Sequence, residues 1–340
     1  MSGPAPIGAA EAEFLFAPFA AHEAVLLAVS GGVDSVAMML LAARWRASGP
    51  TGPKLFVATV DHGLRPESGM EAATVAGWAR EASLPHATLV WNHRQAGRVS
   101  QESARAARYG LLREHARTIG ADALATAHHA DDQAETVLMR LVRGSGPAGL
   151  AGMRQGGTLD GLTLLRPLLN VPKVRLAATL ARAGHPFCED PSNEKPLYAR
   201  NRIRRLWALL EPEGLTRERL TTLAARAARA EQALSAAADK AFAGLASQAG
   251  GGLALAASLF DEPAEIRLRL LARAVVEARG GGEAPRLERL EALEAAVAEA
   301  AAERRSLRRT LGGCMVTLGR NGTVTVTQEK PRRRGANRQS

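Results

Sequence analysis

The chain has 340 residues, a formal net charge of +10, 46% hydrophobic residues and 23% charged residues, a composition typical of globular proteins and not of disordered ones. Only five of the 44 basic residues are lysines, so arginines, which bind phosphate bidentately, carry most of the positive charge. An arginine-rich positive charge is compatible with a polyanionic partner, but it does not by itself demonstrate one. Cys188 and Cys314 form no C-x-x-C pair, which argues against an iron–sulfur cluster or a cysteine-rich zinc site and fits a reducing, cytoplasmic location.

The N-terminal segment, residues 1–16, contains two glutamates and no basic stretch. No apolar run in the chain reaches the roughly 18 residues that a membrane-spanning helix requires. We therefore expect neither a secretion signal nor a membrane span.

Short apolar runs alternate with amphipathic stretches from Ala24 to about Gly184, which predicts parallel strands joined by crossover helices. The predicted strands are Val25–Val29, Leu55–Val60, Ala87–Trp91 and Ala123–Ala127, and their uniformly apolar character predicts central positions in the sheet. Helical spacing occurs near Asp34–Arg46, Met70–Ser83, Gln101–Ile119 and Asp131–Val142. The expected fold class is α/β, with a parallel sheet covered by helices on both faces.

The composition changes after Pro212 to alanine, leucine, arginine and glutamate at helical spacing, which predicts a second, mainly helical domain. Its predicted helices are Thr216–Ala243, Glu262–Arg279 and Arg286–Arg304, and the pair Asn321-Gly322 between two β-prone runs predicts a closing hairpin of Cys314–Leu318 and Thr323–Thr327. We expect a first domain over 1–212, a second domain over 213–328 and a basic disordered tail over 329–340.

One glycine-rich segment joins the first predicted strand to a helix: Ser30-Gly31-Gly32-Val33-Asp34-Ser35. Glycines admit close approach of a phosphate, and the free amides of a helix start favour negative charge. Asp34 can hold Mg²⁺ against the phosphates, although an ordinary capped turn is the alternative. No G-K-[ST] follows, so the lysine that braces the terminal phosphates in Walker-type enzymes is absent from the segment.

The segment resembles the pyrophosphate loop, or PP-loop, of the N-type ATP pyrophosphatases, which have an adenine nucleotide alpha hydrolase-like fold. The resemblance implies binding of ATP and Mg²⁺, and cleavage of ATP to AMP and pyrophosphate. Two further polar motifs follow predicted strands, namely Asp61-His62-Gly63-Leu64-Arg65 and His128-His129-Ala130-Asp131-Asp132-Gln133-Ala134-Glu135-Thr136. Because the ligand crevice of an open α/β sheet lies at the carboxyl ends of its strands, we expect both motifs to meet the glycine segment there, with Asp61, His62 and His128 near the nucleotide.

These motifs, with Arg143–Met153, Arg166–Leu169 and Arg200–Arg204, resemble the motif series of the tRNA(Ile)-lysidine synthases over about residues 20–210. The resemblance implies that the wobble cytidine of the CAU-anticodon tRNA(Ile) is adenylated and then joined to L-lysine, which changes codon reading from AUG to AUA. The resemblance implies that the domain over 1–212 is catalytic and that the domain over 213–328 binds the tRNA. The expected partners are this tRNA and L-lysine, and a homodimer is possible.

Asp132 and Glu135 lie three residues apart on one predicted helix face and could bind the ammonium groups of lysine or take a proton from its ε-amine. A solvated acidic first turn is the alternative. His128 and His129 could be zinc ligands, but adjacent histidines seldom reach one metal, and we expect nucleotide or RNA contact instead.

Arg105 and Arg108 match arginines that the resemblance places near the active site, where one could neutralise charge in the transition state. An exposed helix face paired with Glu102 has nearly equal weight. The glycine-rich run that includes Arg143, Gly144 and Gly146 is interpreted as a loop closing over the anticodon, or else as a flexible connector. The basic motif that contains Arg200, Arg202 and Arg204 is expected to contact RNA phosphates. A run of solvent-exposed charges is the alternative.

Two other functions compete with lysine transfer. A related pyrophosphatase could thiolate a tRNA base through the same adenylate, but it would need a sulfur-carrying thiol or cluster, and Cys188 and Cys314 have no neighbouring partner in sequence. A noncatalytic RNA-binding protein would not need the acidic residues Asp34, Asp132 and Glu135.

Overall fold

The computed structural model describes residues 3–49, 52–63, 67–92, 101–188 and 199–329, and for residues 101 and 199–201 the backbone alone. The chain divides into two compact units, Met1–Ala228 and Arg229–Ser340. Arg65 and the basic tail beyond Glu329 lie outside the described residues.

The first unit alternates strands and helices, as the spacing of apolar residues predicted. Its strands are β1 (Ala24–Ala28), β2 (Lys54–Asp61), β3 (His86–Val90), β4 (Ala123–Ala125), β5 (Gly156–Leu159) and β6 (Leu162–Leu165). Its helices are α1 (Ala9–Phe16), α2 (Val33–Ser48), α3 (Ser68–Glu81), α4 (Gln101–Thr118), α5 (Ala130–Val142), α6 (Pro147–Leu150), α7 (Lys173–Ala183) and α8 (Ala199–Leu210), and the start of α9 (Arg217–Leu245) also belongs to this unit.

The described strands of the first unit form one sheet in the order β3-β2-β1-β4-β6-β5. All neighbouring pairs are parallel except β5 and β6. The predicted central position is confirmed for β1, β2 and β4 but is wrong for β3, which is an edge strand whose residues are partly exposed. Strands β5 and β6 were missed, because glycine dominates the first and both are only four residues long.

Helices cover both faces of this sheet, which confirms the predicted α/β class. Val25 and Leu27 of β1 face a buried cluster contributed by α1, α2, α3 and α7, with Phe16, Met38 and Leu176 among its members. The intervening residues of β1 face a second cluster that includes Leu112 of α4. Because side chains alternate across a strand, burial on both faces requires the uninterrupted apolar sequence of β1.

Helices α5, α8 and the start of α9 pack together in a separate cluster. Val137 and Leu138 of α5 meet Ile203 and Trp207 of α8, and Leu220 of α9 completes the contact. This packing places the acidic start of α5 beside the basic helix α8.

The second unit contains the remainder of α9, then β7 (Ala246–Ala249), β8 (Gly252–Leu255), α10 (Ala264–Ala278), α11 (Leu287–Ala302), β9 (Leu307–Leu311), β10 (Cys314–Leu318) and β11 (Val324–Gln328). The predicted hairpin is confirmed as β10 and β11, with Gly322 at φ +80° in the turn. The hairpin belongs to an antiparallel sheet in the order β7-β8-β11-β10-β9, which packs on α10 and α11. Within the described ranges, no helix has the length and apolar character needed to cross a bilayer.

Candidate active site

The glycine segment forms a tight turn between the carboxyl end of β1 and the first turn of α2. The Ser35 side chain closes the turn: its hydroxyl donates to the carbonyl oxygen of Gly32 at 3.0 Å and accepts from the amide of Ser30 at 3.1 Å. Gly32 is the N-cap residue of α2, with extended backbone angles. The first amides of α2 therefore point outward from a closed turn, the arrangement that binds phosphate at helix N-termini.

Gly31 has a backbone conformation that requires glycine. Its φ is +92°, and a Cβ atom there would lie 3.3 Å from both Cys188 Sγ and Val75 Cγ2. The carbonyl oxygen of Gly31 also accepts a hydrogen bond from the Cys188 amide at 2.9 Å. Cys188 and Val75 therefore pack against one side of the turn, and the side that carries the free amides is left for a ligand.

In the strand order of the sheet, the chain proceeds from β1 towards one edge and from β4 towards the other, so the loops after β1 and β4 flank a topological switch point. The space outside these two loops is termed the crevice. Ligands bind at such switch points in open α/β sheets. Across the crevice, His129 Nε2 lies 3.4 Å from Asp34 Oδ2 and 3.5 Å from Asp132 Oδ2. Asp34 and Asp132, which belong to motifs expected to meet at this edge, are therefore brought together through His129.

His129 is almost completely buried, with 4% of its side chain exposed. Burial by itself lowers the pKa of His129, but the hydrogen bond to Asp34 and the charges of Asp132, Asp34 and Asp131 outweigh it, so the pKa is raised. The His129 amide donates to Asp132 Oδ2 at 3.2 Å, which fixes that carboxylate at the start of α5. The site therefore holds its acidic groups around one buried imidazole.

Asp34 suits a magnesium ion better than a zinc ion. Its Oδ1 atom is buried and has no hydrogen-bond partner, so the carboxylate has one oxygen available to a cation. Mg²⁺ is commonly bound by one or two carboxylates together with substrate phosphates. In the part of the chain that the structure describes, no group of three or more histidine, cysteine, aspartate or glutamate side chains could hold a metal.

Lys173, which the sequence analysis did not select, also faces Asp34. Its Nζ atom lies 3.8 Å from Asp34 Oδ2, and 48% of its side chain is exposed. The backbone amide of Lys173 donates to Asp131 Oδ1 at 3.0 Å, which ties the start of α7 to the start of α5. A single lysine after Pro172 has no recognisable sequence pattern, so only the fold reveals this position.

Glu135 does not share the environment of Asp132. It is buried and paired with Arg204, whose Nε donates to Glu135 Oε1 at 2.6 Å. Burial lowers the pKa of Arg204, but the hydrogen bond and charge of Glu135, with the charges of Asp132 and Asp34, raise it overall. Arg204, expected at RNA phosphates, thus joins α8 to α5 in this structure.

The other residues expected near the nucleotide lie at the carboxyl ends of β2 and β4. Asp61 accepts hydrogen bonds from the Ser68 hydroxyl at 2.5 Å and the Gly63 amide at 2.9 Å, and these two bonds lower its pKa. His62 follows directly, and the Nδ1 atom of His128 lies 2.9 Å from Thr126 Oγ1. Asp61 is therefore hydrogen-bonded to the first residue of α3.

Three arginines lie near one tyrosine beside the carboxyl end of β6. The Arg105 guanidinium lies over the Tyr109 ring at 5.1 Å, and Arg166 Nη1 donates to the Arg154 carbonyl oxygen at 2.8 Å. Burial lowers the pKa of both Arg108 and Arg166; Tyr109 opposes this effect and the charge of Arg105 adds to it. The arrangement concentrates positive charge, which suits phosphate.

The glycine-rich run 143–153 is held against α5. The Gln133 side-chain amide exchanges two hydrogen bonds with the backbone of Met153, at 2.9 and 2.7 Å, and Arg140 donates to the carbonyl oxygens of Gly149 and Gly152. Gly144 has φ +69°, and Gly146 caps the short helix α6. Arg143 is exposed at the end of α5.

The basic residues of α8 differ in how far the structure describes them. The side chain of Arg200 lies outside the described residues, whereas Arg202 is exposed. On the same helix, Trp207 lies beneath the guanidinium of Arg217, 4.6 Å from its ring centre.

Comparison with known proteins identifies relatives over most of the chain. A family model described as the PP-loop domain matches residues 7–210. A tRNA(Ile)-lysidine synthase from Bradyrhizobium sp. is 48% identical over 97% of this chain and 96% of that protein. Counterparts from Methylobacterium sp. (53% identity; 91% and 90% covered) and Rhodopseudomonas palustris (47%; 97% of each chain) match similarly.

Among solved structures, the U34-tRNA thiolase NcsA from Methanococcus maripaludis, solved with its iron–sulfur cluster, aligns with a TM-score of 0.54 at 16% identity. The alignment covers 64% of this chain and 78% of the thiolase, and at this identity it indicates a shared fold alone. The PP-loop match and the extensive identity to curated relatives decide the assignment: the chain belongs to the PP-loop family and, within it, to the tRNA(Ile)-lysidine synthases.

Proposed function

We propose that this chain is an ATP-dependent ligase that forms lysidine at the wobble cytidine of a CAU-anticodon tRNA(Ile). The 2-carbonyl oxygen of cytosine attacks the α-phosphorus of ATP, and pyrophosphate leaves with the electrons of the broken bond. The ε-amine of L-lysine then attacks the 2-carbon, AMP leaves, and the nitrogen loses a proton. The observation that carries the proposal is the meeting of Asp34 and Asp132 around His129 at the switch point.

The glycine turn binds the departing pyrophosphate in this scheme. The amides at the start of α2 and the Ser30 hydroxyl supply donors, and Gly32 leaves room for close approach. Asp34 Oδ1 would hold Mg²⁺, which neutralises phosphate charge when it is bound. Because these donors are fixed before the nucleotide arrives, they need no reorganisation as charge develops.

Asp132 is our candidate for the carboxylate that receives lysine. Glu135 is engaged by Arg204, whereas Asp132 retains 14% exposure of its side chain at the crevice. Its carboxylate accepts a hydrogen bond from the His129 amide and lies 3.5 Å from His129 Nε2. Asp132 would bind the ammonium group and accept the proton that the amine loses. Glu135 would position helix α8 through Arg204.

The tRNA would contact basic groups around the same edge. Arg105, Arg108, Arg143 and Arg202 are candidates for its phosphates, and each neutralised phosphate would make binding more salt-sensitive. Self-association as a homodimer stays a prediction, which sedimentation of the purified protein would test.

Thiolation of a tRNA base is the alternative that shares the adenylation step. Burial raises the pKa of the Cys188 thiol and also that of the Cys314 thiol, so neither is activated as a thiolate. Cys314 is buried in the core of the second unit, where its thiol donates to the Val275 carbonyl oxygen. These environments favour lysine as the nucleophile.

The direct experiment is incubation of the purified chain with ATP, Mg²⁺ and CAU-anticodon tRNA(Ile), with and without lysine, followed by mass analysis of the wobble nucleoside. We expect a lysine adduct only in the complete mixture. Asp132→Asn should release pyrophosphate but form little adduct, whereas Asp239→Asn, an exposed acid of the second unit, should behave as the wild type. Sulfur in the product nucleoside would establish thiolation instead.

A further inference from the structure

The glycine turn lacks a side-chain cation for the phosphates that it would bind. No lysine follows the glycines in sequence, although the leaving pyrophosphate gains negative charge as its bond to the α-phosphate breaks. A positive group at this position would stabilise the leaving group more strongly than neutral donors, because charged hydrogen bonds are stronger than neutral ones. Any side-chain cation that acts beside Mg²⁺ on these phosphates would therefore come from another element.

The described cations nearest to Asp34 differ in their availability. His129 is buried among three carboxylates, and Arg204 is engaged by buried Glu135. Lys173 is half exposed and, within the described residues, its ammonium forms one ion pair, the 3.8 Å contact with Asp34 Oδ2. Lys173 is thus the group that can transfer its contact from Asp34 to a ligand without exposing a buried charge.

The backbone around Lys173 is fixed although its side chain is not. Asp131 Oδ1 accepts the Lys173 amide at 3.0 Å, and the Ala130 amide donates to the Val171 carbonyl oxygen at 3.0 Å. Leu176 and Leu180, further along α7, are fully buried in the cluster that also contains α2. Lys173 thus combines an anchored backbone with an ammonium on a flexible four-carbon chain, which suits a phosphate whose position changes during a reaction.

We propose that Lys173 is the phosphate-bracing cation of this enzyme, supplied by α7 in place of a lysine in the glycine turn. Lys173 contacts the β- and γ-phosphates of bound ATP and stays with pyrophosphate as it leaves. Asp34 holds the ammonium until Mg²⁺ and the nucleotide arrive. This inference rests on the proposed function, since it concerns the phosphates that adenylation releases.

The test compares Lys173→Met, Lys173→Gln and Lys173→Arg with Lys54→Met, a control at the opposite, amino-terminal end of β2. The affinity for inorganic pyrophosphate with Mg²⁺ is measured by calorimetry, and adenylation of tRNA by a single-turnover assay. We expect the two neutral variants to lose pyrophosphate affinity and adenylation rate by about 10- to 100-fold, the range for one charged donor to a developing anion. Lys173→Arg should retain most of both, and Lys54→Met should match the wild type.

Unchanged pyrophosphate affinity in both neutral variants would overturn the inference, as would an equal loss in Lys54→Met. Because Lys173 is half exposed, the neutral variants should unfold at the wild-type temperature, and their affinity for tRNA should be unchanged. A wild type that forms no lysidine would instead refute the proposed function itself. A wild type that forms lysidine, with neutral variants that bind pyrophosphate normally, refutes the role of Lys173 alone.

Discussion

Gly31 and Gly32 are neighbours in the turn that would hold pyrophosphate, yet alanine should affect them differently. At Gly31, with φ +92°, a side chain costs about 1–2 kcal/mol from the backbone conformation alone. The new Cβ would also lie 3.3 Å from Cys188 Sγ and Val75 Cγ2, which is closer than usual packing. We expect Gly31→Ala to lower the free energy of unfolding of the first unit by about 2 kcal/mol.

Gly32 has φ −69° and ψ 160°, which any residue adopts, and the nearest atom to its added Cβ would be Ser30 Oγ at 3.9 Å. Gly32→Ala should therefore leave stability within about 0.5 kcal/mol of the wild type, because a compatible Gly→Ala change is nearly neutral or stabilising. Its methyl group would instead occupy space on the ligand side of the turn. We expect weaker pyrophosphate binding without unfolding.

Urea unfolding followed by circular dichroism measures the stability of both variants, and calorimetry with Mg²⁺ and pyrophosphate measures binding. A loss of about 2 kcal/mol corresponds to a melting temperature about 4–8 °C lower in a unit of this size. The reasoning is refuted if Gly31→Ala is as stable as the wild type, or if Gly32→Ala destabilises the protein as much as Gly31→Ala does.

Three further expectations concern the surroundings of the turn. Arg204→Ala should lower the free energy of unfolding in urea by about 3 kcal/mol, because it leaves the buried carboxylate of Glu135 without its charged partner. Adding Glu135→Gln should restore much of this loss, and no recovery would contradict the pairing. The pKa of Asp61 is lower in the folded protein than its unfolded value of about 4, so its ionised carboxylate stabilises the fold above about pH 4, and this contribution is lost as the pH falls through the folded pKa. The free energy of unfolding of Asp61→Asn should therefore depend less on pH in the acid range. Identical pH profiles of the two proteins would exclude this role. Gly152→Ala would place a Cβ 2.7 Å from the Gln133 amide and so disturb the hydrogen bonds between Gln133 and Met153. We therefore expect faster proteolysis within residues 143–153. Unchanged cleavage would indicate that these hydrogen bonds do not hold the run in place.

Local sequence was sufficient to predict the parts of the site that follow directly from chain order. The run Ser30–Ser35 lies between an apolar strand and a helix, and this succession determines where its amides point. Asp132 and His129 belong to a motif that follows β4, and the general placement of ligands at strand ends predicted that this motif would meet the glycine segment. His128 was expected near the nucleotide, whereas the contact with Asp34 comes from His129.

Contacts between elements distant in sequence could not be predicted in the same way. Lys173 reaches Asp34 because α7 packs on α2, and the pair is separated by more than a hundred residues. Arg204 was assigned to RNA from its basic neighbours, but its contact with Glu135 depends on the packing of α8 on α5. Charge pattern alone does not distinguish a buried ion pair from an exposed phosphate ligand.

The second unit illustrates the limit of strand prediction from composition. The hairpin β10–β11 has alternating apolar residues and an Asn-Gly turn, and it was predicted. Strand β9 reads Leu307-Arg308-Arg309-Thr310-Leu311 and β7 is rich in alanine, so neither has a strong β signal by itself. Pairing with β10 and β8 makes them strands, which is a tertiary effect.

Attack on the α-phosphate of ATP can be tested with a wobble cytidine whose 2-carbonyl oxygen carries a heavy oxygen isotope. In a complete reaction with lysine, we expect the isotope in AMP and none in pyrophosphate, because the cytidine oxygen leaves on the α-phosphate that it attacked. Formation of ADP with the isotope in inorganic phosphate would contradict the role given to the glycine turn, since the bond broken would then lie at the other end of the triphosphate.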